Sequence, residues 1–238
     1  MTSGGAPAPD VQLSVLMPVF NERGTIERAI ASVVGAELGV GGVQLLVVDD
    51  GSTDGTRELL TEREWPAEVE LVLHERNAGK GAALRTALAH ARGEISTIMD
   101  ADLEYDPQDI ALLLARLLSG EADAVFGTRA FQSHSAYSFW YVVGNRAVTL
   151  AANVIYNSWV SDIMTCHKAV RTELLRSLAL RENGFGIEPE ITARLLRRGV
   201  RIYEVPIDYE ARTRAEGKKL TTLDGVRVLR TLLRCRLR

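Results

Sequence analysis

Apolar residues recur along the first two thirds of the chain in short runs that alternate with longer segments of helical spacing. Leu13 to Phe20, Val43 to Val48 and Val69 to His74 are such runs, and Ile95 to Met99 and Ala124 to Gly127 follow. Short, β-branched runs bounded by polar turns predict buried strands. Between them, Thr25 to about Gly35, Ser52 to about Arg63, Gly79 to Ala91 and Asp106 to Leu118 read as helices. The last opens near Pro107, a residue favoured in a first turn. This alternation predicts an α/β fold, a mostly parallel sheet with helices on both faces. After Arg129 the rhythm loosens, leaving a helix at Pro189–Arg198 and a short strand at Arg201–Val205.

Composition narrows the class. Hydrophobic residues make up 46% and charged residues 25% of 238 positions, the balance of a folded globular chain. The net charge of −3 argues against a nucleic-acid binder, but it averages two unlike parts. From Ala211 onward nine basic residues face two acidic ones, a net of +7, so residues 1–210 carry −10. Only Cys166 and Cys235 are present, which excludes a disulfide scaffold and fits a reducing, cytoplasmic setting. Residues 1–10 read as a loose tail without a basic start or apolar run, residues 11–219 as the folded body, and residues 220–238 as a basic amphipathic tail.

Two segments bear on membranes. Residues 137–159 are rich in aromatic and apolar residues but interrupted by Asn145, Arg146, Asn153 and Asn157. They read either as a helix packed on the core or as one lying in a membrane interface. The final GVRVLRTLLRCRLR alternates arginines with Val and Leu, which suits either an anionic membrane surface or an ordinary terminal helix. No run approaches the ~18 uninterrupted apolar residues that a bilayer-spanning helix requires.

Candidate chemistry gathers where the strands end, the edge at which open α/β sheets bind ligands. Strand one ends in Pro18-Val19-Phe20-Asn21-Glu22, strand two in Asp49-Asp50-Gly51-Ser52, and strand four in Asp100-Ala101-Asp102-Leu103-Glu104. Carboxylates so crowded require a cation or a hydroxyl-rich ligand to offset them. In extended chain Asp100, Asp102 and Glu104 share one side and can converge on a hard cation, Mg²⁺ or Mn²⁺ rather than zinc. A dinucleotide site would need G-x-G-x-x-G after strand one, and Asn21-Glu22-Arg23-Gly24 stands there instead.

PVFNE, DDGSTDGT, NAGKGAALRTA, DADLEYDP and GTR occur in that order. The chain thereby resembles the family 2 glycosyltransferases of the GT-A fold from about Leu13 to Lys219. The resemblance implies that Pro18, Phe20, Glu22, Asp49 and Asp50 contact the nucleoside of a nucleotide sugar. It implies that Asp100 and Asp102, with Ala101 between them, meet the metal and the diphosphate. Lys80 belongs either to that pocket or to a glycine-permitted turn opening the next helix.

The later motifs, Asp162-x-x-Thr165-Cys166-His167-Lys168, the run from Gly184 to Glu190, and Arg212-x₅-Lys218, resemble the polyprenyl- and dolichyl-phosphate hexose synthases. That resemblance implies that Arg129, Arg212 and Lys218 (or Lys219) face donor and acceptor phosphates. A phosphate monoester, with a second pKa near ~6, is already an anionic nucleophile and needs cationic positioning more than a base. A sugar hydroxyl would need a carboxylate, for which Glu188 and Glu190 are the late candidates. The expected reaction moves a hexose from UDP-glucose or GDP-mannose, the former favoured, to polyprenyl phosphate at the cytoplasmic face of a membrane. Membrane contact is then direct or through a small integral partner. A hydroxyl-acceptor transferase and a non-catalytic nucleotide-sugar sensor are the alternatives.

Overall fold

The computed structural model describes residues 11–129, 134–135, 139–211 and 222–237. The first strands and helices alternate: β1 (Leu13–Val19), α1 (Ile26–Val34), β2 (Val43–Asp49), α2 (Thr56–Glu62), β3 (Val69–Leu73), α3 (Lys80–His90), β4 (Ile95–Ile98), α4 (Asp109–Leu118) and β5 (Ala124–Thr128). There follow β6 (His134–Ser135), α5 (Phe139–Tyr156), β7 (Lys168–Arg171), α6 (Thr172–Ser177), α7 (Ile187–Arg197), β8 (Ile202–Pro206), β9 (Tyr209–Glu210) and α8 (Thr222–Leu237). Seven strands form one sheet in the order β3-β2-β1-β4-β7-β5-β8, and β6 pairs with β9 apart from it.

The period of two along each strand sorts side chains into two cores. Leu16, Leu46, Val48 and Phe126 pack under α3, α5, α7 and α8. Val15, Met17, Leu45, Val47 and Val125 pack under α1 and α4. Strands buried on both faces are the reason these runs read as continuously apolar rather than alternating. The predicted parallel α/β sheet is therefore present, with one exception.

That exception matters. β7 runs antiparallel to both β4 and β5, with Thr97 opposite Ala169 and Phe126 opposite Lys168. Its first residues consequently lie at the edge where β4 and β5 end, which delivers Thr165, Cys166 and His167 to the carboxylate cluster. The sequence reading lacks this strand because a buried lysine opens it. Lys168 is fully enclosed, donates to the Ile163 carbonyl at 3.0 Å and lies 4.5 Å from the centre of the Phe126 ring. Burial pushes its pKa down to about 8. Boundaries moved elsewhere too: α4 starts at Asp109 after a turn through Pro107, and α7 starts at Ile187 with Pro189 inside its first turn.

The basic segment at the end is part of the core. Val228, Leu232 and Cys235 of α8 join the first cluster, and Tyr156 Oη donates to the Leu232 carbonyl at 2.7 Å. Arg197 Nη1 reaches the Cys235 carbonyl at 3.0 Å. Val226, Leu229, Leu233 and Leu237 face outward. Among the described residues no helix is long and apolar enough to cross a membrane.

α8 should thus be energetically two-sided. Leu232 is 0% exposed and Leu233 52%. In urea denaturation, Leu232→Ala should cost about 2–4 kcal/mol and Leu233→Ala less than about 0.5 kcal/mol.

Candidate active site

The site grows from loops that lock one another. After β1, Asn21 takes a left-handed φ of 54°. Its Oδ1 accepts from Thr53 N at 2.8 Å, and its own N–H donates to Ser52 Oγ at 2.9 Å. Glu22 N donates to Thr56 Oγ1, and the Glu22 carboxylate accepts from Thr25 Oγ1 at 3.0 Å. The PVFNE and DDGST segments are therefore stitched together before any ligand arrives.

Asp49 and Asp50, both nearly inaccessible, are spent in the same way. Asp49 Oδ2 accepts from Arg57 Nε at 2.7 Å, and its Oδ1 from Ser52 N at 3.2 Å. Asp50 accepts from Ala78 N at 2.9 Å and Gly79 N at 2.7 Å, and meets His74 Nδ1 at 2.7 Å. The two carboxylates thus shape the loops around the pocket. His74 and Arg57, which hold them, carry no local motif and were not legible in sequence. Gly51 is required here: at φ +74° a Cβ would stand 2.5 Å from the backbone at Arg76–Asn77.

At the end of β4 the chain turns instead of continuing extended. Leu103 has φ +62°, unusual for a branched residue, so the period-two argument for Asp100, Asp102 and Glu104 does not apply to this segment. Asp102 Oδ1 accepts from Glu104 N at 3.1 Å. Glu104 Oε2 accepts from Tyr209 Oη at 2.7 Å, and its carbonyl from Glu210 N at 3.0 Å. Glu104 therefore anchors β9 to this turn. Ala101 is buried beneath it.

Lys80 is the centre of the cluster. Its Nζ stands 2.8 Å from Asp100 Oδ1, 2.6 Å from Glu188 Oε1 and 3.1 Å from Cys166 Sγ. Burial works against the charge, yet Asp100 above all, with Glu188 behind it, holds this ammonium well above the usual lysine range. Burial likewise pushes the Cys166 thiol well up, so it stays protonated. Glu188 Oε2 is buried with no hydrogen-bond partner among the described residues. Glu190 is occupied: Oε2 accepts from the backbone of Arg181 and Glu182, and Oε1 from Arg194 Nε at 2.9 Å. Of the two late glutamates, only Glu188 faces the cluster.

Close backbone approach makes the Lys80 geometry possible. A Cβ on Gly79 or Gly81 would fall 2.3 Å from the Asn183 carbonyl or 2.2 Å from the Glu182 carbonyl. Gly81 N donates to Asn183 O at 2.7 Å instead. The NAGKG run is thus a glycine turn that also carries Lys80 into the carboxylate cluster.

Arg129 lies at the same edge. Its Nε and Nη2 make a fork with Asp162 at 2.6 and 3.0 Å, and its guanidinium stacks 4.8 Å from the Tyr209 ring. Asn145 Nδ2 and Met164 N also donate to Asp162. Arg212, Lys218 and Lys219 lie outside the described residues. Among the described residues no three His, Cys, Asp or Glu side chains form a ready metal cage. Asp100 and Asp102 are an all-oxygen pair of the kind that Mg²⁺ or Mn²⁺ completes with substrate phosphates and water.

Comparison with known proteins gives a consistent result. The family described as "Glycosyl transferase family 2" matches residues 14–179. Glycosyltransferase AglJ of Haloferax volcanii is 33% identical over 223 residues, 93% of this chain and 69% of that protein. An undecaprenyl-phosphate 4-deoxy-4-formamido-L-arabinose transferase of Pseudomonas aeruginosa is 33% identical over 181 residues, 74% of this chain. The match spans only about half (52%) of that relative's length. Among solved structures, Mycobacterium tuberculosis glucosyl-3-phosphoglycerate synthase with Mn²⁺, UDP and glucosyl-3-phosphoglycerate superposes with a TM-score of 0.71. It shares 26% identity, covering 94% of this chain and 80% of its own.

His167 links the site to stability. It is fully buried, its ring nitrogens 3.3 and 3.4 Å from the carbonyls of Ile98 and Asp106, and burial pushes its pKa down to about 4. Between about 4 and the usual 6.5 the unfolded chain binds the extra proton, so stability rises with pH across that window and is lost on acidification. Denaturation at pH 7 and pH 5 should differ by about 2 kcal/mol from this residue alone. His167→Gln should flatten that difference.

Proposed function

The chain belongs to glycosyl transferase family 2, and we propose that it transfers one hexose, with inversion, from a nucleotide diphosphate sugar to a polyprenyl phosphate. It is a glycosyltransferase of the GT-A fold. The observation that carries the finer reading is the Lys80–Asp100–Glu188 cluster beside Asp102, a charged pocket at the carboxyl edge of the sheet. One ammonium against two carboxylates leaves the pocket acidic, ready for a cation-bearing diphosphate.

In this reading Pro18, Phe20, Glu22 and the loops held by Asp49 and Asp50 receive the nucleoside. Asp100 and Asp102 hold a divalent cation, Mg²⁺ or Mn²⁺, and Lys80 stands beside the diphosphate. When bound, the cation supplies positive charge to the departing diphosphate. Arg129, fixed by Asp162, together with Arg212 and Lys218, orients the acceptor phosphate, which attacks the anomeric carbon without a base. The Pseudomonas relative, named for transfer to undecaprenyl phosphate, supports this acceptor class. UDP-glucose is the favoured donor, supported by the neighbour crystallised with UDP-glucose and Mn²⁺. The outward apolar stripes of α5 (Phe139, Leu150, Val154) and α8, with exposed Trp159, support peripheral contact with a membrane surface.

A hydroxyl acceptor is the second reading, favoured by one observation. The unpartnered Oε2 of Glu188 is a carboxylate oxygen free to take a proton, and the Mycobacterium neighbour was crystallised with phosphoglyceric acid.

Incubation of the protein with radiolabelled donor, Mn²⁺ and polyprenyl phosphate should place label in the organic phase. Asp102→Ala should lower that rate at least about 100-fold with the fold intact by circular dichroism. Glu188→Gln separates the acceptors. A greater loss of kcat from Glu188→Gln than from Arg129→Ala, with label only in water-soluble product, would establish the hydroxyl acceptor. Calorimetric titration with Mn²⁺ present should show UDP binding more tightly than GDP.

A further inference from the structure

A groove of about 510 Å³ opens between the 181–186 segment and α8. Arg181, Arg227, Arg230 and Arg234 line it, against one acid, Glu182. Glu182 is already engaged, since Oε1 accepts from Thr231 Oγ1 at 2.9 Å and pairs with Arg234. Arg234 is thus taken up by Glu182, while Arg181 and Arg230 keep the lining positive. Across the crest of α8 lies a second depression of about 600 Å³, lined by Val226, Leu229, Leu233 and Leu237, with Arg230 and Arg234 shared between the two.

The helix sequence explains the pairing. Val228, Thr231, Leu232 and Cys235 are buried against the body, whereas Leu233 and Leu237 are 52% and 84% exposed. A helix with one face in water would carry polar residues where these leucines stand. A soluble polyanion would satisfy the arginines and leave the leucines wet. An apolar partner helix would cover the leucines and strip water from the arginines without pairing them. An amphiphile with an anionic head meets both demands.

We propose that this groove holds the phosphate of an anionic bilayer lipid, with the lipid's chain lying over the Val226–Leu237 stripe. The proposal rests on the membrane reading above and deepens it: one headgroup is bound at a fixed place, rather than many attracted diffusely. The groove's lining includes none of Lys80, Asp100, Asp102, Arg129 or Glu188, and its inner wall is the 182–183 backbone that Gly79 and Gly81 abut.

Co-sedimentation of the full chain with phosphatidylcholine vesicles, with and without phosphatidylglycerol, tests this. Arg230→Ala removes one groove charge. Arg236→Ala removes one charge from the same helix outside the groove, where Arg236 lies 5.9 Å from the Tyr156 ring. The proposal expects Arg230→Ala to weaken binding to anionic vesicles roughly tenfold, and Arg236→Ala less than about threefold. Leu233→Ser should weaken it further. Equal losses from the two arginine variants would mean diffuse attraction and overturn the groove site while leaving the membrane reading intact. Absence of binding to either vesicle by the wild type would overturn both. Titration with inorganic phosphate alone supplies the last arm. Binding as tight as that to anionic vesicles, and lost in Arg230→Ala, would make this a soluble-anion site and overturn the lipid assignment.

Discussion

One part-buried ammonium organises this molecule's chemistry. Lys80 is flanked by Asp100 from the first half of the chain and Glu188 from the second, at 2.8 and 2.6 Å. Glu188 could not be buried there alone, because a buried charge without a partner costs several kcal/mol. Each half of the chain therefore supplies what the other needs. The pocket exists only once the two have come together, and it keeps a residual negative charge where the proposed cation and diphosphate would sit.

The backbone around Lys80 is built to that end. Glycines at 79 and 81 let the 182–183 segment approach closer than any side chain would permit, which places α7, and Glu188 in its first turn, within reach. Asp50 fixes the other side of the turn by accepting from Ala78 and Gly79. The antiparallel β7 brings Cys166 and His167 to the same edge. His167 then packs against the turn that carries Asp102, its ring beside the Ile98 and Asp106 carbonyls. Many of the polar residues at this edge serve to hold others in place. The hydrogen bonds and ion pairs they make are the reason the edge can stay crowded with carboxylates.

The sheet's parallel part was legible because each strand is apolar on both faces and each intervening segment has helical spacing. The acidic strand ends were legible as well, since motifs such as DDGS and DADLE are local. Long-range pairings were not. Nothing near Asp50 announces His74, nothing near Arg129 requires Asp162 thirty-three residues on, and nothing near Lys80 points to Glu188. β7 was hidden by its buried lysine, which local carbonyls satisfy. The extended-chain argument for Glu104 failed because Leu103 turns the chain, and its carboxylate went to Tyr209. Local patterns predicted which residues reach the edge, whereas tertiary contacts decided which of them are spent on structure.

The account stands on Lys80 as the organiser of a cation- and diphosphate-binding pocket. Calorimetric titration of UDP in the presence of Mn²⁺, into wild type and Lys80→Met of verified fold, tests this most directly. It predicts Mn²⁺-dependent binding to the wild type and a loss of roughly tenfold or more in the variant, the worth of one charge-assisted contact. Equal affinity in a folded Lys80→Met protein, or binding indifferent to Mn²⁺ in both, would contradict it.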